Sequence, residues 1–190
     1  MIKAILLAAG MSKRFKNENK LIRNFKNRPL INHSLLALHK SKVDKIAIVL
    51  GYQDKEVRKV IKKNKKNIFV FNKKFRLGMS SSINTGLKKI SKKDKGFIIV
   101  QSDMPFIKVS DINKIYNSIS KKRHLVHALK FKNKIGNPIG FDSSVLTKFK
   151  KMKGDIGAKF MVKRLKNNTN FIKVLSKRVF KDLDLKKDFN

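Results

Sequence analysis

Two short segments, each directly after an apolar run, carry residue types suited to phosphate chemistry. The first is Leu7-Ala8-Ala9-Gly10-Met11-Ser12-Lys13-Arg14-Phe15, with Lys20 shortly after it. Small residues let the backbone approach a ligand closely. Exposed amides can bind phosphate oxygens, and Arg14 and Lys20 add positive charge. The same residues also describe an ordinary strand-to-helix turn in a lysine-rich chain. Neither the G-x-G-x-x-G dinucleotide pattern nor the G-K-[ST] of a P-loop is present. The second segment is Ser102-Asp103-Met104-Pro105, after the apolar run 97–101. A carboxylate just past a buried strand, fixed by a nearby proline, is placed to hold a metal ion at the sheet edge. Phosphoryl transfer uses such an ion to offset charge on a triphosphate. The plainer alternative is a turn aspartate. Asp111 already serves the next helix start, which favours function for Asp103.

Other segments are weaker signals. Gly78-Met79-Ser80-Ser81-Ser82 precedes a helix, and its serines offer a cap or donors to a nucleotide. Gly136-Asn137-Pro138 and Gly154-Asp155-Ile156-Gly157-Ala158-Lys159 read as loops without chemistry of their own. His33, His39, His124 and His127 lack metal-ligand spacing, and no Ser/His/Asp set can be assembled. With no cysteine, disulfides, thiolate metal sites and a cysteine nucleophile are excluded. Only 12 residues are Asp or Glu, so any metal site or carboxylate base must come from that small set.

The elements that position these segments follow from hydrophobic patterning. Continuous apolar runs at 2–8, 43–50 and 97–101, with shorter ones at 68–71 and 125–130, predict strands covered on both faces. Helices are predicted over 29–40 with Pro29 in the first turn, over 54–64 capped by Asp54, over 83–90 capped by 80–82, and over 111–119 capped by Ser110. Strands alternating with helices imply an α/β fold with a doubly wound, mainly parallel sheet. After Phe131 the pattern changes to a turn at 132–134, a strand at 138–141, two short helices and a strand at 171–175. This half is expected to add an antiparallel strand and the acceptor side of a cleft. No internal repeat or linker divides residues 1–190, so a single domain is expected.

Composition restricts the partners. With 190 residues, about two fifths of them apolar, the chain can bury a substantial core. The formal net charge of +36 invites a nucleic-acid reading, because lysine and arginine neutralise phosphates. The lysines, however, are spread over every segment, and no aromatic-interleaved basic patch appears. A solvated surface that attracts anionic substrates is the preferred reading, and nucleic acid is not the expected partner. No stretch reaches the ~20 apolar residues of a membrane span, and the N-terminal run lacks the flanks of a signal peptide. A cytoplasmic protein is expected.

Taken together, seven segments in order resemble the MobA-like NTP transferase family, most of all its molybdenum cofactor (molybdopterin) cytidylyltransferases. The opening segment through Lys20 resembles L-A-A-G-x-S-x-R-[MF]-G…K, and Arg28-Pro29-Leu30-Ile31-Asn32-His33 resembles P-L-[LI]-x-H. Val49-Leu50-Gly51-Tyr52 and the segment from Gly78 to Leu87 resemble two further family segments. Ser102-Asp103-Met104-Pro105 resembles G-D-[MQ]-P. Gly136-Asn137-Pro138 resembles G-[HN]-P, and the segment from Gly154 to Lys159 resembles G-D-x-G-A-[RK].

The resemblance implies a Rossmann-like sheet of the nucleotide-diphospho-sugar transferase type and a magnesium-dependent reaction. In that reaction an acceptor phosphate attacks the α-phosphorus of an NTP and pyrophosphate leaves. Leu7, Ala8, Ala9 and Gly10 would contact base and ribose, with Ser12, Gly78, Ser80 and Ser81 also at the nucleotide. Arg14 and Lys20 would hold the triphosphate, and Asp103 would hold magnesium with help from Asp182 or Asp184, Asp184 being preferred. Leu-Ala-Ala-Gly resembles the cytidylyl branch, which makes CTP the expected donor and molybdopterin the expected acceptor. A molybdoenzyme or its chaperone would then be the protein partner. Guanylyl transfer to the same cofactor, a sugar- or alcohol-phosphate acceptor, and a non-enzymatic nucleic-acid binder remain as alternatives. Three departures stand out. Lys16 replaces the glycine after Arg-[MF], Ser102 precedes the metal aspartate, and the closing D-[IV]-D-T-P-E-D becomes Asp182-Leu183-Asp184-Leu185-Lys186-Lys187-Asp188.

Overall fold

A computed structural model of the chain describes residues 1–15, 18–150 and 152–189. In chain order its strands are β1 (Ile2–Ala8), β2 (Asn24–Phe25), β3 (Arg28–Pro29), β4 (Ile46–Leu50), β5 (Asn67–Phe71), β6 (Gly96–Gln101), β7 (Val126–Phe131), β8 (Lys134–Asp142) and β9 (Thr169–Lys173). Its α-helices are α1 (Ile31–Lys40), α2 (Asp54–Val60), α3 (Met79–Leu87), α4 (Val109–Ser120), α5 (Leu146–Phe149) and α6 (Lys159–Arg164). Seven strands form one sheet in the order β5-β4-β1-β6-β8-β7-β9, and β2 pairs with β3 in a separate hairpin.

The sheet is Rossmann-like and mainly parallel. β1 pairs in parallel with β4 and β6, β4 with β5, and β7 with β9; β8 runs antiparallel to both of its neighbours. The expected antiparallel addition is thus β8. Because successive side chains alternate across a strand, the sheet has two cores. Ala4, Leu6 and Ala8 of β1 face the layer of α1, α2 and α4, which buries Leu35, Val57 and Ile115. Ile5 of β1, with Val49 and Ile99, faces α3, α5 and α6, which bury Ile83, Phe149 and Met161. Phe97, Phe141 and Phe149 close this second core, with ring centroids 5.0–5.7 Å apart. Burying an aliphatic or aromatic side chain of this size is worth about 1.5–3 kcal/mol.

Several helix starts differ from expectation. Pro29 lies in β3 rather than in a helix. Lys26 and Asn27 both adopt positive φ, closing a tight hairpin in which Asn24 pairs with Pro29, so α1 begins at Ile31. α2 ends at Val60, because Ile61 turns extended and buries its side chain; Asp54 is its first residue, not its cap. α3 begins at Met79, so Ser80, Ser81 and Ser82 lie inside its first turn. α4 begins at Val109, and Asp111 rather than Ser110 secures its start by accepting the Lys108 amide at 3.0 Å. Among the described residues no helix is long and apolar enough to cross a membrane.

Candidate active site

The chain order β1-β4-β5 builds the sheet outward on one side of β1, and β6 begins the other side. That reversal is a switch point, where the loops after two adjacent strands diverge and leave a crevice. A cleft of about 500 Å³ opens there, beyond the carboxyl ends of β1 and β6 and against the start of α3.

Of the sequence-predicted residues, Leu7, Ala9, Gly10, Ser12, Lys20, Gly78 and Asp103 line this cleft. Ala8 does not, since the alternation of β1 turns it into the α1 core. Ser80 and Ser81 are also directed elsewhere. Ser80 Oγ donates to the Gly154 carbonyl at 2.6 Å. Ser81 Oγ sits 2.8 Å from the carbonyls of Lys74 and Gly78 and accepts from Asn72 Nδ2. Arg14 stands at the rim with a 64% exposed side chain. Lys16 lies outside the described residues.

The turn after β1 is held by its own polar groups. Ser12 takes a positive φ, and its Oγ accepts the Lys20 amide at 3.2 Å. Buried Asn19 accepts the Leu21 amide and donates to the Tyr52 carbonyl. These contacts fix the backbone on both sides of Lys20. Ser102 ties β6 to β1, its Oγ donating to the Leu7 carbonyl at 2.7 Å. Behind the turn, Gly51 allows close packing. A Cβ there would lie 2.7 Å from Phe75 Cβ and 2.8 Å from Ala9 Cβ, so this wall is already full.

Lys20 is the centre of the polar network. Its Nζ lies 2.7 Å from Asp103 Oδ2, 2.7 Å from Asp184 Oδ1 and 3.0 Å from the Leu183 carbonyl. Arg14 Nη1 reaches the other oxygen of Asp184 at 2.9 Å. The segment carrying Asp184 docks through the Leu183 amide, which donates to the Asp103 carbonyl at 3.0 Å. Asp188 stabilises the turn by accepting the amides of Asp184 and Leu185 at 2.9 and 2.8 Å.

The electrostatics follow from this packing. Burial by itself would lower the Lys20 ammonium, but Asp103 and Asp184 outweigh it and hold it above its ordinary value. Burial raises the Asp103 carboxyl, and the negative charges of Asp182 and Asp184 add to this against the opposing Lys20. Burial acts upward on Asp184 too, yet Lys20 and Arg14 hold it below the ordinary carboxylate range. Asp188 is held low by the Leu185 and Asp184 amides. Asp103 Oδ1 is buried and has no hydrogen-bond partner among the described residues. Nor does any group of three or more His, Asp or Glu side chains among them stand ready to hold a metal.

Part of the wall is not legible in the sequence. Asp155 lines the cleft, and its Oδ1 accepts the Met79 amide at 3.0 Å, securing the start of α3 from a distant loop. Gly78 takes φ +96°, and a Cβ there would meet the Gly154 carbonyl oxygen at 2.7 Å. Gln101, Ser102, Phe75 and Met79 are further wall residues. Ser102 and Asp155 stood inside quoted motifs; Gln101 and Phe75 gave no signal.

Comparison with known proteins agrees with this architecture. The family model of the MobA-like NTP transferase domain matches residues 4–169. The bifunctional protein GlmU of Brucella anthropi is 27% identical over 124 residues, covering 65% of this chain and 27% of that protein. The chain thus spans about a quarter of that relative's length. Among solved structures, Rv0371c of Mycobacterium tuberculosis H37Rv superposes with a TM-score of 0.86 at 18% identity, over 99% of this chain and 95% of that one. A nucleotidyl transferase from Methanothermobacter thermautotroptrophicus superposes with a TM-score of 0.83 at 17% identity, over 100% and 94%. At such identities the two structures speak for the fold. The family match, spanning most of the chain, shows that the chain belongs to the MobA-like NTP transferase domain family.

Proposed function

We propose that the chain is a nucleotidyltransferase that joins the nucleoside monophosphate of an NTP to a phosphorylated acceptor. The observation that carries this reading is the Lys20 ammonium set between Asp103 and Asp184, beside the turn after β1. An acceptor phosphate oxygen forms a bond to the α-phosphorus, the α–β bridging P–O bond breaks, and pyrophosphate leaves with the electron pair. An acceptor phosphate is already ionised, so no side-chain nucleophile or strong base is called for. Catalysis then rests on positioning and charge neutralisation.

The chain's own residues would divide this work. The backbone of the turn and Gly78 orient the nucleotide, while Lys20 and Arg14 meet its phosphates. Magnesium fits the donor set: it is commonly held by one or two carboxylates together with substrate phosphates. Asp103, whose buried Oδ1 has no hydrogen-bond partner among the described residues, and Asp184 would supply that pair. The ion would offset charge on the triphosphate.

CTP is the proposed donor and a molybdopterin-type phosphate the proposed acceptor. The resemblance of Leu7-Ala8-Ala9-Gly10 to the cytidylyl signature supports CTP. The test is pyrophosphate release from CTP, GTP, ATP and UTP with magnesium, using molybdopterin, a sugar 1-phosphate and glycerol 3-phosphate as acceptors. Release with CTP and molybdopterin is expected. A sugar 1-phosphate as best acceptor would redirect the acceptor assignment, and no release with any pairing would overturn the reading.

A further inference from the structure

Ring size separates pyrimidines from purines, but cytosine and uracil are equally large. Only polar groups at the differing edge can tell them apart. Cytosine presents an amino donor where uracil presents a carbonyl acceptor. The wall around Met79 carries one polar group of each sense. Asp155 Oδ1 accepts the Met79 amide at 3.0 Å, and no other hydrogen bond to its carboxylate is formed among the described residues. This leaves a carboxylate oxygen to accept from a ligand. Gln101, at the end of β6, also lines the cleft beside Met79. Its Oε1 accepts from Asn137 Nδ2 at 2.8 Å, which turns its Nε2 away from Asn137. Among the described residues that Nε2 meets Met79 Sδ at 3.9 Å, a weak acceptor. Asn137 Oδ1 is buried without a partner among the described residues.

We infer that Asp155 makes the site cytosine-specific, its carboxylate accepting from the cytosine amino group and repelling the uracil carbonyl. Gln101 Nε2, oriented by Asn137, donates to the ring carbonyl oxygen that both pyrimidines share. The inference rests on the nucleotidyltransferase reading and deepens it. It adds what ring size alone does not supply, because size treats CTP and UTP alike.

The test is calorimetric titration of the full chain with CTP and UTP in magnesium. The unmodified protein should bind CTP more tightly than UTP by about tenfold or more, since a polar mismatch costs more than a missing methylene. Asp155→Asn preserves the helix start, because asparagine caps as well as aspartate. It should weaken CTP binding and bring the two affinities within about threefold of each other, with an unchanged melting temperature. Gln101→Leu should weaken CTP and UTP by the same factor and leave their ratio intact. Equal affinities in the unmodified protein would overturn the inference while leaving the nucleotidyltransferase reading in place. So would an undiminished CTP preference in Asp155→Asn, which would make Asp155 a helix cap only. Failure of CTP, UTP, ATP and GTP all to bind would overturn the reading itself, and the inference with it.

Discussion

Lys20 and Asp103 meet at 2.7 Å although they lie 83 residues apart, each delivered by the loop beyond its own parallel strand. β1 and β6 are neighbours in register, with Leu7 opposite Gln101, so the two loops emerge side by side. The pair is largely shielded, with side chains only 14% and 18% exposed. Interactions between charges strengthen as water is excluded.

Asp103→Asn should therefore keep the fold and lose turnover. The neutral amide weakens both the hold on Lys20 and any hold on a cation. A loss of roughly 100-fold or more in kcat is expected, comparable to removing one preorganised electrostatic contact from a site. Steady-state rates at saturating magnesium, with circular dichroism as the fold control, check this. Near-normal turnover would remove Asp103 from the mechanism.

Lys20→Ala and Arg14→Ala should differ in degree. Lys20 is enclosed by three acceptors, whereas Arg14 is mostly exposed and, among the described residues, pairs with Asp184 alone. Loss of the enclosed cation should cost about 1.5–3 kcal/mol of NTP binding, the range for charged hydrogen bonds. Loss of the exposed one should cost about 1 kcal/mol or less and fade with added salt. Titrations at two ionic strengths separate them, and Lys16→Ala controls for general charge.

Much of this arrangement could be read from local sequence, and the rest could not. The turn after β1 and Asp103 each follow an apolar run, and a carboxyl-edge site is a property of parallel sheets. Asp155, by contrast, reaches Met79 across 76 residues, and Ser102 reaches Leu7 across 95. No short pattern encodes such contacts. The serines at 80–82 resembled a cap, yet the true partner of the first α3 amide comes from another loop. Pro29 resembled a helix start because the hairpin ahead of it turns through Lys26 and Asn27 without a glycine. Asp188 could be read only as an acid in a weakened motif, although it organises the turn that presents Asp184.

Asp188→Ala should loosen that turn by freeing the Asp184 and Leu185 amides. Asp184 would then sample positions away from Lys20. Turnover should fall by roughly 10-fold, the low end of the loss on removing a supporting partner, with the melting temperature nearly unchanged. An effect as large as that of Asp103→Asn would mean Asp188 acts directly on substrate.

Stability should fall on mild acidification through His127, a side chain far from the cleft's chemistry. Burial first, and then the charge of His124, lower its imidazole to about 4 from 6.5. Its Nδ1 lies 2.7 Å from Ser118 Oγ, which accepts from Asn170 Nδ2. As pH falls below 6.5 the unfolded chain takes up the proton before the folded one. The stability tied to neutral His127 is complete above that pH and is lost as the pH falls towards 4, on the order of 3 kcal/mol in all. Urea unfolding at about pH 7 and about pH 4.5 should show this slope in the unmodified protein and a flatter one in His127→Gln. Equal slopes would assign the acid sensitivity to other groups.

Transfer of a nucleoside monophosphate with release of pyrophosphate can be followed by the fate of a radiolabel. The chain is incubated with magnesium, molybdopterin and CTP labelled at either the α- or the γ-phosphorus, and the products are separated. The α-label should move to the acceptor, and the γ-label should appear only in pyrophosphate. Transfer of the γ-label to the acceptor, or its release as free phosphate, would show attack at the terminal phosphorus and rule out nucleotidyl transfer.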